Sequence, residues 1–437
     1  MMSQTSLESK LEALQCHFTW DLDPSRSKLF RLRYHLEEIG TEEGTRWLGH
    51  VYNLRGYVQY KLGFTEDAQS LFNKAAEAFC QTRRADEGPW LVVNYGNQAW
   101  LHHHLGEQAE SQAYLSKVDA LMNKYPSPSQ DELHPEIYAE KAWTLMKFSS
   151  DKKLLAADYF QRAIRMQPDM VEWKSSHVLL LAKAAVKADR GLDADMLEEM
   201  GIAKEEDPEN LYLAAHYLQH NAETMEEERV EDEARELAQK ILMNPVSSYS
   251  GFKVLLWVYV HHVSVDEAIV LAEEALKQHP DVRFLKRCVA FSYKSKIYFG
   301  TDGPPKQSMI DKAISVHEEV VSLYPEPSLM RKIDLANMYA KSNHSQAKAE
   351  QIYQELLKSD LETADKQLVY NRYATYLHFV VKDSRRSAQY HMRAAEILIQ
   401  SYFRRDSVTI LEKIRDRNWH QMSREVEEFL ENLPEPQ

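Results

Sequence analysis

The stretch that decides the fold is "LLAADYFQRAIRMQPD" at residues 154–169. Ala156, Phe160 and Ala163 stand four and three residues apart, which places them on one stripe of an α-helix. The small residues let a neighbouring helix approach closely, and the large ring fills the groove between the two helices. Pro168 cannot continue the helix and marks its end. The spacing therefore predicts the second helix of a helix-turn-helix unit.

The same spacing recurs in order along the chain, at intervals of about 34 residues or more. Good copies begin at Ala68, Ala156, Ala268, Ala313, Ala349 and Ala388, and weaker copies lie at Ala203 with Pro208 and at Leu237 with Pro245. An ordered series of this kind is typical of tetratricopeptide repeats, in which each unit packs only on its neighbours. The sequence predicts an all-α, superhelical solenoid of tetratricopeptide repeats.

Two intervals in this series are too long for one unit each. The step from Ala268 to Ala313 is 45 residues, against about 34 for a regular unit. Its excess is the Gly- and Pro-rich stretch 298–308, which we interpret as a loop insertion. The step that follows Ala68 spans 88 residues, so a second, degenerate unit is predicted around "YGNQAWLHHHLGEQAESQAYL" at residues 95–115.

An array this irregular is not expected to form a uniform superhelix, and its helices can close on themselves around a cavity. We predict three subdomains: an N-terminal helical subdomain at 1–130, a central repeat subdomain at 131–300 and a C-terminal repeat subdomain at 301–437.

The composition narrows the classes of function. The 437 residues include 67 acidic and 53 basic side chains, for a formal charge of −14. This charge disfavours broad non-specific binding of nucleic acid but does not exclude a local basic cavity. Glycine is scarce, which disfavours phosphate-cradling glycine loops. The scattered Cys16, Cys80 and Cys288 predict reduced thiols. Without a signal peptide or a long apolar run, we expect a soluble, cytoplasmic protein.

Catalytic and metal-binding patterns are missing from the sequence. It contains no His-Glu-x-x-His motif and no GxSxG elbow. The histidine run at 102–104 and the pair at 261–262 are poor ligand sets, because consecutive helical residues point about 100° apart. The stretch "CHFTW" at 16–20 leaves a metal or nucleophile site open at this point. We expect a protein that is not an enzyme and has no cofactor, catalytic residue or metal.

Basic and aromatic residues on helices are the strongest candidates for a site. Trp143 and Lys147 lie four residues apart and share a helix face. Further candidates are Lys183, Asn210, Tyr212, Lys253 and Arg287. Gathered in one interior, such side chains would bind single-stranded RNA, with cations on phosphates and rings under bases. The alternative for each residue is an extended lysine at the surface or an ordinary core aromatic.

Four stretches together resemble the family of interferon-induced proteins with tetratricopeptide repeats. They are "LEALQCHFTWDL" at 11–22, "YGNQAWLHHHLGE" at 95–107, "EKAWTLMKF" at 140–148 and "DLANMYA" at 334–340. The order matches from about residue 7 to about residue 400. Since "CHFTW" is specific to that family, Cys16 and His17 are interpreted as a packing signature of the N-terminal helices.

The resemblance implies a cytoplasmic, non-enzymatic antiviral effector whose helices curl around a basic central tunnel. This tunnel takes the 5′ end of single-stranded viral RNA, either a triphosphate or a cap lacking ribose 2′-O-methylation. Position by position it implies that Trp143 stacks on a cap base and that Lys147 meets the terminal phosphates. It also places Asn210 and Tyr212 near the first ribose.

Several positions depart from the family pattern. Lys183 and Lys253 stand where the family usually has arginine, which keeps the charge but loses the bidentate fork. Lys153 replaces a tunnel tyrosine and remains a candidate RNA-binding residue, as does Arg287. Other departures are His35, Ile39, Val254 and Cys288. The chain also ends sooner than typical members, so we expect a missing or reduced C-terminal repeat.

A protein-interaction scaffold without RNA binding is the alternative function, and the charge of −14 suits it. The partner expected first is the 5′ end of single-stranded RNA, with no DNA and no membrane. Oligomers with itself, with related tetratricopeptide proteins or with signalling adaptors are left open.

Overall fold

The computed structural model of the chain describes residues 4–40, 46–187, 191–301, 303–325, 329–416 and 420–434. These residues form α-helices joined by short turns and contain no β-strand. The helices pack in consecutive pairs, as a tetratricopeptide array requires. The contacts divide the chain into two compact units, Met1–His279 and Pro280–Gln437. The subdomain boundaries at 130 and 300 stay a prediction.

The first unit contains fourteen of the described helices, numbered here in chain order. They are α1 (Gln4–Glu12), α2 (Arg26–Glu38), α3 (Leu48–Leu62), α4 (Thr65–Arg83), α5 (Val92–His104), α6 (Gln108–Lys124), α7 (Pro135–Leu145), α8 (Ser150–Met166), α9 (Val171–Lys187), α10 (Ala194–Glu206), α11 (Leu211–Asn221), α12 (Glu227–Leu242), α13 (Phe252–Val258) and α14 (Val265–Gln278). A short 3₁₀ turn, Pro89–Leu91, precedes α5, and a π-helical turn, Tyr259–Val263, extends α13.

The second unit contains the remaining eight described helices. They are α15 (Arg283–Phe299), α16 (Gln307–Leu323), α17 (Leu329–Lys341), α18 (Ala347–Lys358), α19 (Thr363–Tyr376), α20 (Ser384–Glu396), α21 (Tyr402–Asp416) and α22 (His420–Glu431). A π-helical turn, Leu377–Val381, extends α19. The predicted loop insertion is confirmed, because α15 ends at Phe299 and α16 begins at Gln307. In the first unit, the predicted degenerate repeat is confirmed as the pair α5 and α6.

The repeat positions predicted from spacing are buried. Ala156, Phe160 and Ala163 on α8 are fully buried, as are the equivalent alanines of the other good copies. Close approach within a pair is visible at α3 and α4, where a Cβ added to Gly56 would lie 2.6 Å from the Phe72 ring. A small residue on the first helix and a large one on the second therefore set the helix spacing.

The "CHFTW" stretch packs in the core of the first unit. The His17 ring bonds Thr144 Oγ1 at 3.1 Å and Asn97 Nδ2 at 3.0 Å. Its backbone N–H donates to Asn97 Oδ1 at 3.0 Å. Burial lowers the pKa of His17 to about 3 and raises the pKa of Cys16 to about 12. A Cβ added to Gly96 would lie 3.0 Å from Cys16 Cβ. The packing interpretation is confirmed.

Two further predictions concern the thiols and membrane spans. Cys16, Cys80 and Cys288 form no disulfide bond in the described structure. None of the described helices is long and apolar enough to cross a bilayer.

Candidate functional site

A loop that returns to the N-terminal helices builds the candidate site in the first unit. The Ser248 backbone N–H donates to Glu38 O at 2.7 Å and fastens this loop to the end of α2. Gly251 has a φ of 82°, and a Cβ there would lie 2.7 Å from Leu211 O at the start of α11. Only glycine fits this turn. Tyr249 is thereby held between α2 and α11.

Lys147 lies in the turn after α7 and is surrounded by aromatic rings. Its Nζ is 4.4 Å from the centre of the Trp143 ring and 5.0 Å from the centre of the Tyr249 ring. It also donates a hydrogen bond to the Tyr249 hydroxyl. Trp143 and Lys147 lie together as predicted, although Lys147 is in the turn beyond the helix rather than on its face, and Tyr249 contacts the same ammonium group.

A second lysine is held in the same manner. Lys183 on α9 donates to the Tyr212 hydroxyl at 2.6 Å, and its Nζ is 4.6 Å from the centre of that ring. The rings of Tyr212 and Tyr249 stack at 5.1 Å between centroids and 23° between planes. We call Lys147, Tyr249, Tyr212 and Lys183 the lysine–tyrosine cluster. Its two cations lie on either side of a tyrosine pair.

The cluster concentrates positive charge. Burial lowers the pKa of Lys147 well below its usual value, and the charges of Lys183, Lys153 and Lys28 lower it further. Burial also raises the pKa of the Tyr249 hydroxyl. Among the described residues, no carboxylate lies within 4.0 Å of Lys147 or Lys183. Phenol and ring contacts are weak substitutes for an anion.

Lysines on the same helix or on a neighbouring helix are arranged differently. Lys174, also on α9, lies 2.9 Å from Glu206, and Lys152 on α8 lies 3.0 Å from Asp21. The lack of an acidic partner is therefore a property of the cluster and not of the helices that carry it.

Trp143 is a core residue. Only 1% of its surface is exposed, and the Trp47 ring lies nearly parallel to it at 5.7 Å and 18°. The contact of Trp143 with a cap base stays a prediction. Its surroundings are those of an ordinary core aromatic residue.

Asn210 caps α11. Its Oδ1 accepts from the Leu213 N–H at 3.0 Å, and its Nδ2 donates to Asp207 Oδ2 at 3.0 Å. These bonds use both ends of the amide and fix the helix that presents Tyr212. The predicted contact of Asn210 with ribose stays a prediction.

The remaining candidates are divided between the two units. Lys153 is half-buried on α8, close enough for its charge to act on Lys147. Lys253 is half-buried near the start of α13. Arg287 belongs to the second unit, where its guanidinium carbon lies 5.7 Å from the Tyr324 ring centre. The structure brings together Trp143, Lys147, Lys153, Lys183 and Tyr212 of the predicted set.

Two residues that contribute to the candidate site were not predicted from the sequence. Tyr249 precedes the helix of Lys253 in a Ser- and Gly-rich loop, and an aromatic residue there was a usable signal. Lys28 on α2 had none, because only folding brings it near Lys147. Two of the departing positions are core residues, since Ile39 is 1% exposed and Cys288 is fully buried.

Metal coordination has no site in the described parts of the chain, where no three His, Cys, Asp or Glu side chains are grouped to hold an ion. The histidine run packs instead: the His104 ring stacks on Tyr60 and Trp100, each at 5.3 Å.

Comparisons with known proteins agree with the resemblance. No protein-family model matches the chain. Human protein IFIT1 homolog B is 26% identical over 96% of this chain and 90% of its own length. The macaque (Macaca fascicularis) antiviral innate immune response effector IFIT1 is 27% identical over 93% and 87%. Mouse interferon-induced protein with tetratricopeptide repeats 2 is 24% identical over 96% and 90%.

Solved structures establish the fold. The human IFIT1 dimer with m7Gppp-AAAA has a TM-score of 0.73 at 23% identity, covering 98% of this chain and 96% of that chain. The human IFIT1 dimer with PPP-AAAA has a TM-score of 0.70 at 24% identity with the same coverage. The relatives carry one family name, match nearly the whole chain and share its repeat architecture. Over nearly its whole length the chain is similar to interferon-induced proteins with tetratricopeptide repeats.

Proposed function

We propose that the protein is a cytoplasmic, non-catalytic antiviral effector that binds the 5′ end of single-stranded RNA in the lysine–tyrosine cluster. Binding would restrict translation or replication of that RNA. One observation carries the proposal: Lys147 and Lys183 are held against tyrosine hydroxyls, with no carboxylate within 4.0 Å in the described structure. The names of the relatives and the RNA in their solved complexes support it.

Phosphate suits this cluster chemically. Each ammonium group has three N–H donors, so it can bind a phosphate oxygen and still keep its phenol. Charge-assisted hydrogen bonds of this type are about twice as strong as neutral ones. An anion also offsets the repulsion that Lys183, Lys153 and Lys28 exert on Lys147. Contacts to phosphate carry no base information, so binding is largely independent of sequence.

The experiment is filter binding of one short single-stranded RNA carrying either a 5′-hydroxyl or a 5′-triphosphate, at a fixed salt concentration. We expect the triphosphate to bind more tightly. Lys147→Ala and Lys183→Ala should each weaken that binding by about 10- to 100-fold, as expected for one charge-assisted contact. Lys174→Ala is the matched control, because Lys174 lies on the same helix as Lys183 but is paired with Glu206.

The scaffold alternative predicts a different result. If neither RNA binds, or both bind equally and the two variants change nothing, the RNA proposal fails and peptide binding becomes the function to test. Self-association is checked separately by light scattering, since the human relative forms a dimer.

A further inference from the structure

A cleft between α21 and α22 in the second unit has no part in the proposed RNA site. Its volume is about 730 Å³, which lies within the range of about 300–1,000 Å³ of ligand-binding pockets. Every residue that lines it falls within 404–434. The lysine–tyrosine cluster belongs to the first unit, so the two sites share no residue.

A buried arginine lines this cleft. Arg404 is 8% exposed, and its guanidinium donates from Nε to Ala395 O at 2.9 Å and from Nη2 to Pro434 O at 2.8 Å. A guanidinium has five N–H donors, so these bonds leave three for a ligand. Among the described residues, no carboxylate lies within 4.0 Å of this cation. A buried cation without a counter-charge is costly, so the position favours an anionic ligand group.

Apolar side chains line the same cleft. Val408 on α21 and Leu430 and Leu433 at the end of the chain are half-buried, and all three pack on the small core that α20, α21 and α22 share. We call these three residues the apolar wall. A ligand side chain placed against the wall removes apolar surface from water, which favours binding. The cleft therefore accepts an apolar group next to an anion.

The rim of the cleft is acidic. Glu412, Glu427 and Glu431 are exposed at the cleft, and within the described structure no basic group lies within 4.0 Å of their carboxylates. We call them the glutamate rim. Arg415 also lines the cleft, but Asp416 lies 2.9 Å from it. Such a rim repels phosphate groups and attracts basic side chains.

We propose that this cleft binds the carboxyl terminus of a basic peptide segment. The terminal carboxylate accepts from Arg404 in a charge-assisted hydrogen bond. The last side chain of the peptide is apolar and packs on the apolar wall, and the basic side chains before it lie on the glutamate rim. Capture of a terminal carboxylate is a recurring mode of peptide recognition. The proposal is independent of RNA binding.

The test is fluorescence anisotropy of the full chain with the labelled peptide Gly-Lys-Gly-Lys-Ala-Leu, which ends either in a free carboxylate or in an amide. We expect the free acid to bind at least about tenfold more tightly, because the amide lacks the charge that Arg404 contacts. Equal affinity for acid and amide, or no binding of either, overturns the proposal.

A variant at the arginine tests the contact itself. Arg404→Met keeps an apolar chain of similar length and should abolish the preference for acid over amide. Arg405→Met is the matched control, because Arg405 is the next residue on α21 and is exposed outside the cleft. A folded Arg404→Met protein that still prefers the acid contradicts the proposal. Circular dichroism establishes the folding, since Arg404 also holds Ala395 and Pro434.

A second variant leaves the arginine intact and changes only an exposed residue. Glu427→Lys reverses one charge of the glutamate rim and should weaken binding of the free acid by about tenfold. Glu428→Lys is its matched control, because Glu428 is the next residue of α22, does not line the cleft and pairs with Arg424 at 3.2 Å. Equal losses in the two variants would indicate attraction to the acidic surface in general, which defeats the cleft as the binding site.

Discussion

The first unit has two polar regions at α7: a buried core network of hydrogen-bonded side chains and the lysine–tyrosine cluster. They differ in how their polar and charged groups are paired. In the core, Glu140 Oε1 accepts from Asn53 Nδ2 at 2.8 Å, and the His17 ring bonds Thr144. These groups satisfy each other within the fold. In the cluster, Lys147 finds phenol and ring faces but no carboxylate among the described residues. A completed network stabilises structure, whereas a charge without a counter-charge is available to a ligand.

The largest expected effect is on the core network. Asn97→Leu removes the acceptor of the His17 N–H and the partner of its ring nitrogen. Each buried polar group left alone costs about 1–3 kcal/mol, so we expect a loss of about 3 kcal/mol in the free energy of unfolding of the first unit. Urea unfolding followed by circular dichroism measures it. An unchanged midpoint would mean that the network does not hold the N-terminal segment.

The second prediction concerns pH. Burial raises the pKa of Glu140 to about 8, above its ordinary 4.5. The folded state then holds a proton that the unfolded chain releases, so this carboxyl lowers stability progressively between pH 4.5 and about 8. Glu140→Gln should stabilise the protein by about 2 kcal/mol at pH 6 and by almost nothing at pH 4. Thermal melts across this pH range provide the measurement. A stabilisation that does not change with pH would contradict it.

A third variant separates binding from stability in the cluster. Lys147→Met should increase the free energy of unfolding at pH 7 by about 1 kcal/mol, because a half-buried cation is replaced by an apolar chain of similar length. The folded pKa of Lys147 is below the usual 10.5, so in the wild type its cost diminishes as pH rises towards 10.5. The same variant should lose triphosphate binding. A destabilised variant would show that Lys147 serves the fold.

The smallest effect is expected from one hydroxyl. Tyr249→Phe keeps the ring under Tyr212 and near Lys147 but removes the oxygen that accepts from Lys147. We expect a change in stability of about 0.5 kcal/mol and a reduction in RNA affinity of about threefold, since the lysine loses one positioning contact. Calorimetry and filter binding test the two parts. Tyr212→Phe removes the equivalent hydroxyl beside Lys183 and should have an effect of similar size.

Local spacing explains what the sequence could predict. The offsets of four and three residues place Ala156, Phe160 and Ala163 on one helix stripe, and this stripe is buried. The same geometry puts Trp143 and Lys147 together. These are contacts within one helix or its first following turn, for which sequence distance determines position in space.

Contacts between distant segments explain the rest. Tyr249 reaches Lys147 only because the Ser248 N–H bonds Glu38, which no local pattern encodes. Spacing also cannot tell which ring covers Trp143. Asn210 is a different case: an asparagine directly before an apolar helix is a readable N-cap signal. The family resemblance instead implies that Asn210 lies near the first ribose.

The hydrogen bond between Ser248 and Glu38 has a consequence for synthesis of the protein. Lys147 and Lys183 leave the ribosome well before Tyr249, and α2 well before them. A nascent chain ending before residue 249 therefore carries both lysines without the ring that holds one of them in place. The proposed anion site is therefore complete only when translation has passed the loop that closes back onto α2.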